Sequence, residues 1–226
     1  MQLPIRIACG SALVAIVLSF AVVPASAVGD GARANHSCGD MRLTGSLPAP
    51  PAGMAVQQEV SIGADCRPRP GEARLIPLGR AEGTAAGAGI KDTESGRHGL
   101  SSWNEMYDCC NIRMTGLYLT SRWTTGGGVV SAATDATQQW NREPWDAGWS
   151  RKSATESVDC ATGCSVYRSE AHADFTYRGI FDATGTWYAN THHSYVEIKA
   201  VGTVSCHFEV DLRHTFVGWN WRRGCA

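Results

Sequence analysis

His193, Asp174 and Asp211 are the residues of this chain best suited to moving a proton. Imidazole titrates near neutral pH, and neighbouring carboxylates tune it. All three lie in stretches where polar and apolar residues alternate, so strand pairing decides which of them meet. If Phe181 pairs with Thr186, Asp174 stands opposite His193. If Ala200 pairs with Val204, His193 stands opposite Asp211, and Glu197 opposite His207. With Arg178 nearby, such a row could supply the acid and the base of a small hydrolase of nuclease or glycosidase type. The plainer expectation is a solvated sheet face with ordinary cross-strand ion pairs. The row also depends on register, because a slip of one residue turns His193 to the opposite face.

Two other sets of residues carry possible chemistry. Eight tryptophans occur in 226 residues, and Trp140, Trp145 and Trp149 share a polar, turn-rich segment with Gln138, Gln139, Asn141, Arg142 and Asp146. Indole faces with side-chain amides can hold a sugar ring or a peptide. Packing of these rings on the core is the favoured alternative, since tryptophan is highly buried on average. No metal-ligand spacing is present, and no G-x-S-x-G, H-E-x-x-H, phosphate-binding loop or G-x-G-x-x-G supports a cofactor. No metal and no cofactor are therefore expected.

The cysteines are read through the first 27 residues. Arg6 precedes the apolar run Ser11–Val23, Pro24 breaks it, and Ala25-Ser26-Ala27 offers a cleavage site. This is the pattern of a secretory signal peptide; the run is too short to span a bilayer. Cleavage after Ala27 removes Cys9 and leaves Cys38, Cys66, Cys109, Cys110, Cys160, Cys164, Cys206 and Cys225. An even set in an oxidising compartment predicts a disulfide framework with no free thiol. Cys160–Cys164 and Cys38–Cys66 are the preferred bridges. Adjacent Cys109 and Cys110 are expected to point to different partners.

The elements that position these residues read as strands. Ala173, Phe175, Tyr177 and Phe181 alternate with polar neighbours, as do Val204, Cys206, Phe208, Val210 and Leu212. Two such strands flank a middle one over residues 186–200, giving a three-stranded C-terminal meander. A three-residue turn at 201–203 would place Val196 opposite Phe208 and Ile198 opposite Cys206. Tyr188, Asn190, His192 and Ser194 share a face with Val196 and Ile198, which predicts a bulge in the middle strand. Further strands are expected at 56–62, 73–78 and 112–124, the last returning as a hairpin through Gly126–Gly128 into 129–136. Residues 28–55 read as a loose Pro/Gly-containing segment, 81–101 as a long loop, and 100–109 as the one place for a short helix. The fold class is mainly β: a disulfide-stapled antiparallel sandwich or small barrel, with 56–226 a single domain.

Composition narrows the function classes. The chain has 20 basic and 21 acidic residues, so its formal charge is −1, and −2 once Arg6 is lost. That balance offers no signature for nucleic acid, and nothing after the leader suggests a membrane. Arginine in large excess over lysine, with abundant Ala and Gly, fits a GC-rich bacterial source. The expectation is a secreted, non-catalytic binding or extracellular interaction domain with a glycan or protein ligand. A small secreted hydrolase is the alternative, and an inhibitor or toxin the third.

Overall fold

The computed structural model describes residues 37–78, 97–126, 129–140, 148–160, 163–179 and 182–226, with the backbone alone for 97, 125–126 and 129–140. Period-two alternation dominates it. Strands β9 (Val166–Tyr177), β10 (Ala189–Lys199) and β11 (Val204–Phe216) form the expected meander. Phe175, Tyr177, Phe208 and Val210 are buried on its inner face, while Asp174, His207 and Asp211 stand on the other. Strands β1 (Ser37–Pro48) and β8 (Trp149–Val158) extend it to five strands in the order β1-β11-β10-β9-β8.

The second sheet runs β3 (Pro68–Pro70), β2 (Met54–Ile62), β12 (Asn220–Cys225), β5 (Arg97–Tyr107), β6 (Arg113–Gly126), β7 (Val129–Trp140), with β4 (Arg74–Pro77) on the other end of β2. Every strand pairing is antiparallel. No helix occurs among the described residues, and none is therefore long and apolar enough to cross a membrane. The two sheets pack as a sandwich, not a closed barrel, and their facing apolar side chains make one core.

Several expectations are corrected. Residues 37–48 are not loose: β1 pairs with β11 from Met41 to Pro48 and buries Leu43 and Leu47. Pro48 ends the strand, and Pro50 and Pro51 lie in the turn to β2, where Met54 N donates to Pro51 O at 3.0 Å and Gly53 takes a φ of 76°. No helix forms at 100–109. Residues 100–107 belong to β5, whose Ser101–Tyr107 are buried on both faces, so a two-sided strand shows no alternation, and 108–109 enter the turn beyond it. Of the loop expected at 81–101, residues 81–96 lie outside the described residues and 97–101 belong to β5.

The meander keeps its expected face but not its rungs. Val196 pairs with Cys206 and Ile198 with Val204, a shift of two residues. The turn sits one residue earlier than expected, over 200–202: Lys199 N donates to Thr203 O and Gly202 N to Lys199 O, both at 2.9 Å, with Gly202 at φ 87°. At the other turn, β9 ends at Tyr177 because Asp182 organises the loop beyond it. Its carboxylate accepts from Thr184 Oγ1 at 2.6 Å, Gly185 N at 3.0 Å, Trp187 N at 2.6 Å and Tyr188 N at 3.2 Å. Those bonds, led by the one from Thr184, hold its pKa well below the usual carboxylate range.

Three disulfides staple the sandwich. Cys38–Cys66 ties β1 to the turn after β2, and Cys206–Cys225 joins β11 to β12 across the core. Cys160–Cys164 closes the expected local loop before β9. On the chain-entropy account, closing loops of these two longer separations contributes about 3 kcal/mol each. Cys109 and Cys110 are not split between partners; they remain thiols. The full eight-cysteine framework is thus not formed.

No bulge interrupts β10, which pairs in continuous register with both neighbours from Ala189 to Ile198. Asn190, His192 and Ser194 therefore point into the core, where the opposite sheet bonds all three, with only Asn190 Oδ1 left without a partner among their polar atoms. Asn104 of β5, fully buried, is the hub. Its Nδ2 donates to Glu209 O at 2.9 Å, His193 O at 3.2 Å and Ser194 Oγ at 3.2 Å. Its Oδ1 accepts from Trp221 Nε1 at 2.7 Å and His192 Nδ1 at 3.1 Å. Thr115 Oγ1 donates to His192 Nε2 at 2.8 Å and accepts from Asn190 Nδ2 at 3.0 Å. The network assigns the Nδ1–H tautomer to His192.

That seam makes stability depend on acid. Burial pushes the pKa of His192 down from 6.5 to about 3. The unfolded chain consequently binds one more proton than the folded one between those values. Stability is fully present above pH 6.5 and falls as pH drops toward 3, by up to about 1.4 kcal/mol per unit. His207, also lowered by its burial, adds the same sign. Urea denaturation at several pH values should show the slope beginning well above carboxylate titration. His192→Gln should be weaker at neutral pH and flatter below it; an unchanged slope would mean that His192 does not carry the effect.

Candidate functional site

The outer face of the five-stranded sheet is a grid of polar residues, because β8–β11 and β1 all turn their odd rungs to solvent. One rung reads Ser153–Asp174–Thr191–Asp211–Arg42. The next reads Thr155–His172–His193–Glu209–Thr44, and the next Ser157–Glu170–Tyr195–His207–Ser46. Arg168 and Glu197 share the rung beyond.

Five of the six candidates for acid–base work lie on this face, but not in the expected row. The two-residue shift places Asp174 opposite Thr191, not His193, and His193 opposite His172 and Glu209, not Asp211. Glu197 faces Ser205, while His207 faces Tyr195. Arg178 is past the end of β9 and donates from Nε to Ala183 O at 3.2 Å, so it is not a member of the grid. Residues 170, 172 and 209 were not among the candidates. Their outward phase was readable from the alternation, and only the rung number placed them elsewhere.

Local chemistry separates these side chains. His193 Nε2 is 3.4 Å from Glu170 Oε2, and His172 Nε2 is 3.4 Å from Asp174 Oδ1. Burial raises the pKa of Asp174, but hydrogen bonds from Ser153 and Thr191 and the nearby His172 outweigh it, leaving the carboxyl lowered. The Thr191 Oγ1 donor is 2.7 Å away. Glu197 is lowered first by the hydrogen bond from Arg168, whose Nη2 lies 2.9 Å from Oε2. Arg42 reaches Glu209 at 2.5 Å and Asp211 at 3.7 Å. His207 stacks on Tyr195 with centroids 4.4 Å apart, and its Nε2 is 2.9 Å from Ser205 Oγ. Asp174 and Glu197 are thus held as carboxylates and His207 is held neutral, which suits accepting and donating hydrogen bonds more than delivering a proton.

The face is concave. One depression of about 430 Å³ is lined by Glu170, His172, Thr191, His193, Glu209 and Asp211. A second, of about 700 Å³, is lined by Arg42, Lys152, Asp174, Gly185, Thr186 and Arg213 among others. Thr191 and Asp211 line both, so the two depressions adjoin along a trough-like face. Gly185 and Thr186 belong to the loop that Asp182 organises, and the following Trp187 is 51% exposed. Its ring lies 4.8 Å from that of His214.

Trp187 is the exposed indole that the alternation pattern did not single out. Trp149 is no ligand platform: it is buried at the start of β8 with its ring edge-on to Tyr177, centroids 5.6 Å apart. The backbone of Trp140 pairs with Thr115 in β7, its side chain is not described, and Trp145 lies outside the described residues. Among the described residues no group of three or more metal-ligating side chains converges.

The other sheet carries one buried charged cluster. Glu105 Oε1 accepts from Arg113 Nη1 at 2.9 Å and from Tyr118, and Oε2 accepts from the Tyr107 hydroxyl at 3.0 Å. Burial, then the Glu105 charge, pushes Tyr107 up to about 12 and Tyr118 higher still. Both carboxylate oxygens are used within the protein, so the cluster reads as an internal brace of β5 and β6.

Comparison with protein-family models, curated proteins and solved structures returns no match. The site must be read from its own geometry.

Adjacent residues of β11 test the two-sided character of this sheet. Phe208→Ala empties a core aromatic site and should cost about 3–5 kcal/mol. His207→Ala loses a half-exposed stacked pair and should cost about 1 kcal/mol. Chemical denaturation of both variants compares them; equal losses would mean that the strand is buried on both faces.

Proposed function

We propose that this chain is a secreted, non-catalytic binding domain whose trough takes an extended, hydroxyl-rich ligand, a glycan chain. The observation that carries the reading is the pair of adjoining depressions, a trough, across β1 and β8–β11. Its carboxylates, imidazoles and threonine hydroxyls are spaced by the strand repeat, so successive rungs meet successive groups of an extended polymer. Carboxylates accept paired hydrogen bonds from sugar hydroxyls, and charge-assisted bonds of this kind are the stronger ones. Trp187, next to the loop that lines one end, offers an aromatic surface for a ring. The signal-like leader supports export, the three disulfides fit an oxidising compartment, and the codon-driven composition supports a bacterial source.

A hydrolase is the second reading, favoured by the His193–Glu170 pair. It lacks support for a proton donor in a closed cleft, since the trough is open and Asp174 and Glu197 are held ionised.

Affinity electrophoresis through gels containing soluble polysaccharides, followed by calorimetry with oligosaccharides, tests the proposal. At least one polysaccharide should retard the protein. Thr191→Val with Asp211→Asn should weaken binding about tenfold or more, as expected for losing a bond to a charged group. Retention equal to that of the wild type in this variant, or no retention on any polysaccharide, would contradict the reading. Release of new reducing ends would move it to the hydrolase.

A further inference from the structure

We propose that Cys109 and Cys110 are a reactive dithiol that exchanges with an external disulfide and closes into a vicinal bridge. Six of the eight cysteines beyond the leader are paired within the sandwich, so no described cysteine is left for these two but each other. Both are exposed, and their sulfurs lie 3.7 Å apart. They sit at the tip of the β5–β6 hairpin, away from the trough.

The turn is built to hold them there. Asp108 Oδ1 accepts from the N–H groups of Cys110 and Ile112, both at 2.8 Å. Asp108 N donates to Ile112 O at 3.0 Å, and Asn111 takes a left-handed φ of 65°. Arg222 Nη2 donates to Asn111 Oδ1, its guanidinium lies 4.2 Å from the Tyr107 ring centroid, and its Nε reaches Glu59 at 3.0 Å. On the other side Gly218, at φ 87°, packs against Cys109: a Cβ there would meet that of Cys109 at 3.3 Å. The chain around the pair is thus braced by another strand, and the two thiols stay neighbours.

The chemistry balances without a metal or electron carrier. The sulfur of Cys110, as thiolate, attacks one sulfur of a disulfide R–S–S–R; that S–S bond breaks and one thiolate leaves, to be protonated. The Cys109 sulfur then attacks the Cys110 sulfur of the mixed disulfide, and the second thiol leaves. Two thiol hydrogens pass to the two RSH products, the pair is oxidised by two electrons, and the external disulfide is reduced. Burial, then the neighbouring Cys110 sulfur, pushes the Cys109 thiol up, which fits Cys109 as the second attacker. Adjacent α-carbons are about 3.8 Å apart, short of the usual 4.4–6.8 Å across a disulfide, so the closed ring is strained and readily reduced again. The turn is a reversible two-electron couple, and its substrate class is a disulfide of a small thiol or of a partner protein.

The test uses the exported protein and oxidised glutathione. Intact mass should fall by two hydrogens with no glutathione retained, and alkylation of Cys109 and Cys110 should disappear together. Peptide mapping should place both in one bridged peptide, and mild reduction should restore both thiols while the three core bridges persist. Cys109→Ser and Cys110→Ser, checked for unchanged thermal unfolding, should each instead keep a single glutathione. Two glutathiones retained on the wild-type pair, persistent alkylation of both, or a bridge from either to a third cysteine would overturn the proposal.

Discussion

The side chain of Asn104 is the joint on which the two sheets turn. A buried amide is costly unless every donor and acceptor is used, and here they are. It donates into the backbone of β10 and β11 and accepts from His192 and Trp221. Apolar packing alone would tolerate sliding of one sheet over the other, since it is non-directional. A directional seam does not. Any slide leaves an indole N–H, an imidazole N–H and an amide unpaired in the core, at roughly 1–3 kcal/mol each.

The outer face inherits its order from that constraint. His192 and Ser194 are locked inward, so His193 and Tyr195 must face out, and the rungs of β9 and β11 follow by ladder pairing. The trough is the solvent-side image of the seam. The covalent staples act in the same sense: Cys206 lies four residues before Val210, and its bridge to Cys225 fixes β11 against β12. The ligand proposed for this face would then meet a preorganised surface, which lowers the ordering cost of binding.

Much of the meander was legible in residues 172–181 and 204–212, because a one-sided strand writes its burial into alternation. β5 was not, since Trp103, Glu105 and Tyr107 are buried on one face and Asn104 and Met106 on the other. β1 was masked by nearby prolines and by Gly45, although Leu43 and Leu47 carry its inward phase. The inward polar run of β10 read as a bulge because its partners, Asn104 and Thr115, lie more than seventy residues away in sequence. Rung pairing was missed by two residues for a local reason. The Asp182-centred loop and the Gly202 turn are each centred one residue earlier than the turns assumed, and the side-chain bonds of Asp182 and the left-handed Gly202 that set those centres are not visible in the alternation. The candidate site was accordingly legible as a face, not as a set of contacts.

The most direct test of the seam is nitrogen-15 NMR of the His192 imidazole across a pH titration. The hydrogen-bond pattern predicts a neutral ring protonated on Nδ1, with its pKa pushed down to about 3, so its shifts should stay constant through the range in which an ordinary histidine titrates around 6.5. A midpoint near 6.5 in the folded protein, or an Nε2–H tautomer, would contradict the seam and the strand register that rests on it.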